Sequence, residues 1–294
     1  MPPAAAPAGP VLVTGATSLI GRFLPAHLQG AELWGVGRGE AAEGYGRWLR
    51  WDLTQPGGGA AEAPRPPRGA AVAHLAPVWL LPPVLPALLE AGVTRVVAVS
   101  STSRWTKAAS PDPAEREVAR RLAEAEAEVA RLCGAAGVRW TVLRPTLVYA
   151  EGRDRNVSRL AGLARRFGVL PLSGRGEGLR QPVHADDLAA AVCAALASPA
   201  AADRAYDLPG GETLTYAQMC RRVFEGLGRR PRLLHAPPWL WRAGLALASP
   251  LLPGAAAAMG TRMSEDLVFD AASAERDLGW RPRPFRPDFR GVQP

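Results

Sequence analysis

The chain is almost without lysine. Of its 35 basic residues among 294 positions, only Lys107 is lysine and the others are arginine. The net charge of +8 is spread out, with no run of five basic residues and an aromatic content of 6%. The footprint of a nucleic-acid groove is therefore missing. Cysteine is scarce as well. Cys133, Cys193 and Cys220 are odd in number and far apart, so they form neither a disulfide framework nor a zinc pattern. Buried thiols in a reducing cytoplasm are expected, and no metal. A clean membrane span is also lacking. The most lipophilic stretch, "WLWRAGLALASPLLPGAAAAMG" at 239–260, is interrupted by Arg242, Pro250 and Pro253, short of the roughly 20 apolar residues a spanning helix needs. A buried or surface-lying helix pair fits it better, with a membrane-surface face or the wall of a lipid pocket as the remote alternative. The opening "MPPAAAPAGP" has no basic start or apolar core, so it does not read as a signal peptide.

What the chain does have is alternation. Short apolar runs at Val11–Thr14, Glu32–Val36, Trp48–Trp51, Ala71–Leu75, Arg95–Val99 and Val138–Leu143 are separated by helix-length segments. Those segments are Leu19–Gln29, Val78–Ala91 and Pro111–Ala136. Strands apolar on both sides and joined by helices predict an α/β fold with a doubly wound parallel sheet. The stretch "TQPGGGAAEAPRPPRG" at 54–69 reads as a Pro/Gly loop. After Tyr149 the alternation fails. Residues 10–150 and 180–202 are expected to form a nucleotide-binding domain, and 151–179 and 203–290 a small C-terminal lobe. "HADDLAAAVCAALAS" is a further helix, with Asp186 or Asp187 placed to cap it.

"VLVTGATSLIG" sets Gly15, Thr17, Ser18, Leu19, Ile20 and Gly21 directly after the first strand. Small residues there let the backbone approach a pyrophosphate. The second strand ends "LWGVGRGE", with Arg38 where an NAD site usually carries an acid, and Arg22 follows the glycine turn. Two guanidinium groups suit a 2′-phosphate, so NADP is the expected cofactor, with NAD as the alternative.

These residues resemble the extended short-chain dehydrogenase/reductases, the NAD-dependent epimerase/dehydratase family, whose fingerprint TGxxGxxG has Ser18 here at its middle glycine. The resemblance implies a Rossmann fold and continues in order. "WDLT" matches the adenine-contacting Asp-Leu (Asp52, Leu53), and "VAHLAP" the fourth-strand VxHLA (His74, Leu75, Ala76). "VVAVSS" matches the strand leading to Ser100 and Ser101, and "TVLRPTLVYA" matches LRPxxVYG, with Pro145 and Tyr149. "RQPVHADDLAAAV" and "AERDLGW" match further on. Arg180 and Arg262 stand at arginines that bind the diphosphate in relatives acting on nucleotide sugars, although the residues after Arg262 depart from the family pattern.

The family's proton chemistry depends on a Tyr-x-x-x-Lys pair on the long helix after the hydroxyl strand. Spacing puts those positions at Val118 and Leu122, with the family's glutamate at Glu126. Because Lys107 is the sole lysine and Ser103 stands four residues before it, the pair exists nowhere in the chain. Val118, Leu122, Val129 and Leu132 instead form an apolar stripe at helical spacing.

The remaining catalytic candidates are Ser101 and Thr102 as substrate-orienting hydroxyls, Tyr149 as a surrogate acid, and Lys107 as a displaced amine. Each has a plainer alternative: a turn hydroxyl, a packing tyrosine, a loop-capping lysine. His184 is expected to brace the loop beneath the sheet. The expected function is an NADP-binding, epimerase-like oxidoreductase acting on a carbonyl or a nucleotide-sugar-like small molecule. The alternative from a different class is a catalytically silent NADP(H) sensor or assembly protein. A monomer or a homodimer is expected.

Overall fold

The computed structural model describes residues 9–55, 66–237 and 263–292. The lipophilic stretch 239–260, Arg262 and most of the Pro/Gly loop lie outside the described residues.

The chain begins with β1 (Val11–Thr14), α1 (Leu24–His27), β2 (Leu33–Gly37), β3 (Arg47–Arg50) and β4 (Ala71–His74). A 3-10 turn at Val78–Leu80 leads to α2 (Leu85–Glu90), β5 (Arg95–Val99), α3 (Ser103–Thr106), α4 (Pro113–Ala135) and β6 (Arg139–Pro145). The second half contains β7 (Val148–Tyr149), α5 (Val157–Phe167), β8 (Leu170–Ser173), β9 (Leu179–Arg180), β10 (Val183–His184) and α6 (Ala185–Ala197). It continues with β11 (Arg204–Leu208), β12 (Leu214–Thr215), α7 (Tyr216–Gly226), β13 (Leu233–Ala236) and α8 (Ala272–Leu278).

Seven strands form one parallel sheet in the order β11-β6-β5-β4-β1-β2-β3. The fold is the doubly wound α/β class that the alternation predicts. Side chains alternate across the sheet as its pleat requires. Val11, Val13, Ala73 and Val97 pack with α6, α8 and Trp280 on one face. Leu12, Val72, Val96 and Ala98 pack with α2 and α4 on the other. Two smaller cores gather around Tyr149, Phe285 and Phe289 and around Leu172, Phe224 and Met263.

Three expected elements differ. The helix expected from Leu19 starts only at Leu24. Pro25 has no N–H to continue a helical ladder back to Gly21, so 15–23 form successive turns instead. The helix expected over Val78–Ala91 is split, because Pro82, Pro83 and Pro86 allow a helical run only from Leu85. Residues 204–208, expected in the small lobe, form the sheet's edge strand beside β6, and α8 packs with the same core. Among the described residues no helix is long and apolar enough to cross a membrane. No group of three or more metal-ligating side chains is gathered there either.

Candidate functional site

The strand order reverses between β1 and β4, where one half of the sheet runs on to β2 and the other to β5. In open α/β sheets the crevice beyond the carboxyl ends of such strands is the ligand site. Thr14 and His74 end these two strands, and the Thr14 hydroxyl lies 2.7 Å from His74 Nδ1. The opposite ring nitrogen lies 3.2 Å from the Pro77 carbonyl, which can only accept. Nε2 therefore carries the proton and Nδ1 accepts from Thr14. Burial pushes the imidazole down to about 4. His74 thus ties the floor of the crevice together as a neutral ring.

The glycine turn lies on that floor. Gly15 has φ +77°, and a Cβ there would come within 2.5 Å of the Ala76 nitrogen. A Cβ on Gly21 would meet the Ala16 carbonyl at 2.4 Å. Only glycine fits either place. Ser18 accommodates its own Cβ and uses its hydroxyl to accept from the Gly21 amide at 3.1 Å, so it staples the turn. Leu19 and Ile20 turn their side chains into the core, while Thr17 and Arg22 are exposed. Among the described residues, the amides of Ala16, Thr17, Leu19 and Ile20 have no acceptor. α1 is a single turn, so these amides, rather than a helix dipole, are what the turn offers an anion.

Past β2, exposed Arg38 opens a loop whose carbonyls are held from β3. Arg50 Nε donates to Arg38 O and Trp48 Nε1 donates to Gly39 O, both at 3.0 Å. Asp52 accepts from the side chain and the amide of Thr54, which lower its pKa, with a smaller contribution from Arg38. Leu53 is buried beside Val36 and Val72. Tyr45 bridges these parts, its hydroxyl donating to Gly21 O at 2.6 Å. That carbonyl is free because Pro25 cannot donate to it.

The expected catalytic residues are largely committed to other contacts. Ser100 donates to Glu126 Oε1 at 2.5 Å, and the same carboxylate receives Arg104 and Arg144. Trp105 lies against both guanidinium groups, 4.5 and 5.2 Å from its ring. Thr102 is buried, and its hydroxyl and amide both donate to Pro145 O at 3.1 Å. Lys107 Nζ lies 3.7 Å from Glu115 Oε1, at the first turn of α4. Tyr149 is 1% exposed, edge-on to His184 and Phe285, and burial raises its pKa.

Ser101 is different. Its oxygen accepts from the Ser103 amide at 3.1 Å, which leaves its O–H available to donate. On α4, Leu122 is buried in the core and Val118 packs against that core.

Further along, Arg180 is buried and donates to Leu179 O and Glu265 O, with Tyr216 beneath it. The α6 cap is His184, whose Nδ1 accepts from the Asp186 amide at 3.1 Å. Asp186 and Asp187, expected as caps, instead meet His27 and Arg283. The motifs passed over Tyr45, Trp48, Arg50 and Arg104, and included Arg144 without giving it a role. A signal for Trp48 was in the sequence: "LWGVG" puts Gly35 and Gly37 on one face of β2, a bare strip that calls for a large ring.

Residues 82–208 match the NAD dependent epimerase/dehydratase family. The chain is 23% identical to UDP-glucose 4-epimerase of Vibrio cholerae over 159 residues, 54% of this chain and 47% of that protein. It is 30% identical to NADH dehydrogenase (ubiquinone) 1 alpha subcomplex subunit 9, mitochondrial, of Arabidopsis thaliana over 142 residues, 48% of this chain and 31% of that one. The matches span less than half the length of these curated relatives. Among solved structures, UDP-glucuronic acid 4-epimerase from Bacillus cereus in complex with NAD has a TM-score of 0.70 at 14% identity, covering 96% of this chain and 98% of that one. At that identity the likeness is one of fold.

Proposed function

From the match of residues 82–208 to the NAD dependent epimerase/dehydratase family, we propose that the chain is an epimerase-like protein that binds a nicotinamide dinucleotide, NADP(H) in preference to NAD(H). The turn at 15–21, with glycines that tolerate no Cβ and four amides without an acceptor among the described residues, carries the reading. Its amides hold the pyrophosphate, Arg38 and Arg22 meet the 2′-phosphate, and Asp52 and Leu53 border the adenine. When bound, the nicotinamide supplies hydride exchange. The chain's own contribution there is Ser101, whose free O–H orients the oxygen of a carbonyl or nucleotide-sugar-like substrate.

A second reading, binding without turnover, is favoured by one observation. The positions that would carry the proton relay, 118 and 122, hold apolar side chains packed with the core, and the sole lysine is paired with Glu115. Calorimetric titration with NADPH and NADH, run beside NADPH consumption over a panel of carbonyls and, for the redox-neutral reaction, formation of the epimer from UDP-sugars, separates the two. Tight NADPH binding with turnover supports the first reading, and tight binding without turnover supports the second. Absence of binding to either dinucleotide sinks both, and equal affinity for NADH sinks the NADP preference.

A further inference from the structure

Arg50 ends β3 and stands in register with Gly37 of β2, one residue before Arg38. Its Nε is spent on the Arg38 carbonyl. Among the described residues its two terminal nitrogens have no acceptor and no carboxylate pairs with it. Arg38, by contrast, shares its charge with Asp52, whose pKa it helps to lower. Arg38 and Asp52 together sum to zero, and Arg50 restores a net positive charge beside the same loop. A guanidinium anchored through Nε still has four N–H donors in a planar fork, the geometry that suits phosphate oxygens.

The placement of Arg50 is supported from below. The Trp48 ring lies flat on β2, so close that a Cβ on Gly35 or Gly37 would meet it at 2.5 or 2.7 Å. Tyr45 packs edge-on against that ring, with centroids 6.1 Å apart, and donates to the glycine turn. One segment, 45–50, therefore touches both the turn expected to hold the pyrophosphate and the loop expected to hold the ribose phosphate.

We propose that Arg50 is a specificity-determining residue, a further cation on the cofactor's 2′-phosphate acting with Arg38 and Arg22. This rests on reading the cleft as an NADP(H) site. The test is calorimetry with four ligands: NADPH, NADH, adenosine 2′,5′-bisphosphate and adenosine 5′-monophosphate. In R50M, which keeps the aliphatic stem, affinity for NADPH and the bisphosphate should fall about tenfold, as expected for a lost charge-assisted hydrogen bond. Affinity for NADH and the monophosphate should stay within about twofold. R50K, which keeps the charge but not the fork, should fall between. Equal weakening of all four ligands would make Arg50 a mere prop for the loop and overturn the proposal, as would unchanged affinities. Wild-type protein that binds NADH as tightly as NADPH would instead overturn the NADP(H) reading itself.

Discussion

Both ring nitrogens of His74 are engaged, one by the Thr14 hydroxyl and one by the Pro77 carbonyl, and no face of the ring reaches water. An imidazolium there would have to give up the bond it accepts from Thr14. Its folded pKa, about 4, lies below the unfolded 6.5. Between those values the unfolded chain binds the extra proton, so stability falls as the pH is lowered through that window. The full displacement corresponds to about 3 kcal/mol. Urea unfolding between pH 7 and pH 4 should show this acid limb in the wild type. H74Q, less stable at pH 7, should lose most of the slope. Parallel slopes would mean that His74 takes up its proton in the folded state. The importance of this ring was legible in "VAHLAP", but its role was not. The resemblance implies a histidine beside a dinucleotide, while the bonds that make it a neutral tie come from strands 60 residues apart in sequence.

At the scale of elements, α4 shows most plainly what stands where a Tyr-x-x-x-Lys pair would lie. Its buried stripe, Ala119, Leu122, Ala125, Val129 and Cys133, faces α2 and β5, and its exposed side is braced by Arg120 with Glu117 and Glu124. Replacing Val118 with Tyr and Leu122 with Lys should therefore not create reductase activity. Leu122→Lys alone should cost ~3 kcal/mol or more at pH 7, since an unpaired ammonium would sit in the core. Burial would lower that lysine's pKa, so the unfolded chain holds the extra proton and the penalty shrinks as the pH rises toward ~10.4. Denaturant unfolding at pH 7 and pH 10 checks the sign, and a stable double variant that reduces carbonyls would contradict this account. Elements such as α4, α6 and β5 were readable because one periodicity runs through each without interruption. α1 was not, because a single proline outweighed eleven residues of helical pattern. β11 was not, because "RAYDL" has no apolar run, and only its neighbour β6 makes it a strand.

For the whole molecule, the cofactor reading makes a thermodynamic demand. A ligand that binds only the folded state stabilises it by about 2.7 kcal/mol at a hundredfold excess over Kd, which for a chain of this size raises Tm by several degrees. NADPH should produce this shift more strongly than NADH at equal concentration. A G15A variant, whose new Cβ would collide with Ala76, should respond to neither. Thermal melts with and without each dinucleotide decide it, and an undiminished NADPH shift in G15A would place the ligand elsewhere.

The place of β11 at the outer edge of the sheet, beside β6, also bears on synthesis. β6 is complete at residue 145, whereas its outer neighbour begins at residue 204. At ~5–20 residues per second, a growing chain carries an unpaired strand edge for roughly 3–12 seconds. Of the two α-helices that arrive meanwhile, α6 covers a face of the sheet and leaves that edge open. A ribosome stalled within this interval would release a nascent product with a bare β-edge, the kind of surface on which chains stick to one another. Codon choice between positions 145 and 208 should therefore affect soluble yield more than the same changes made beyond it.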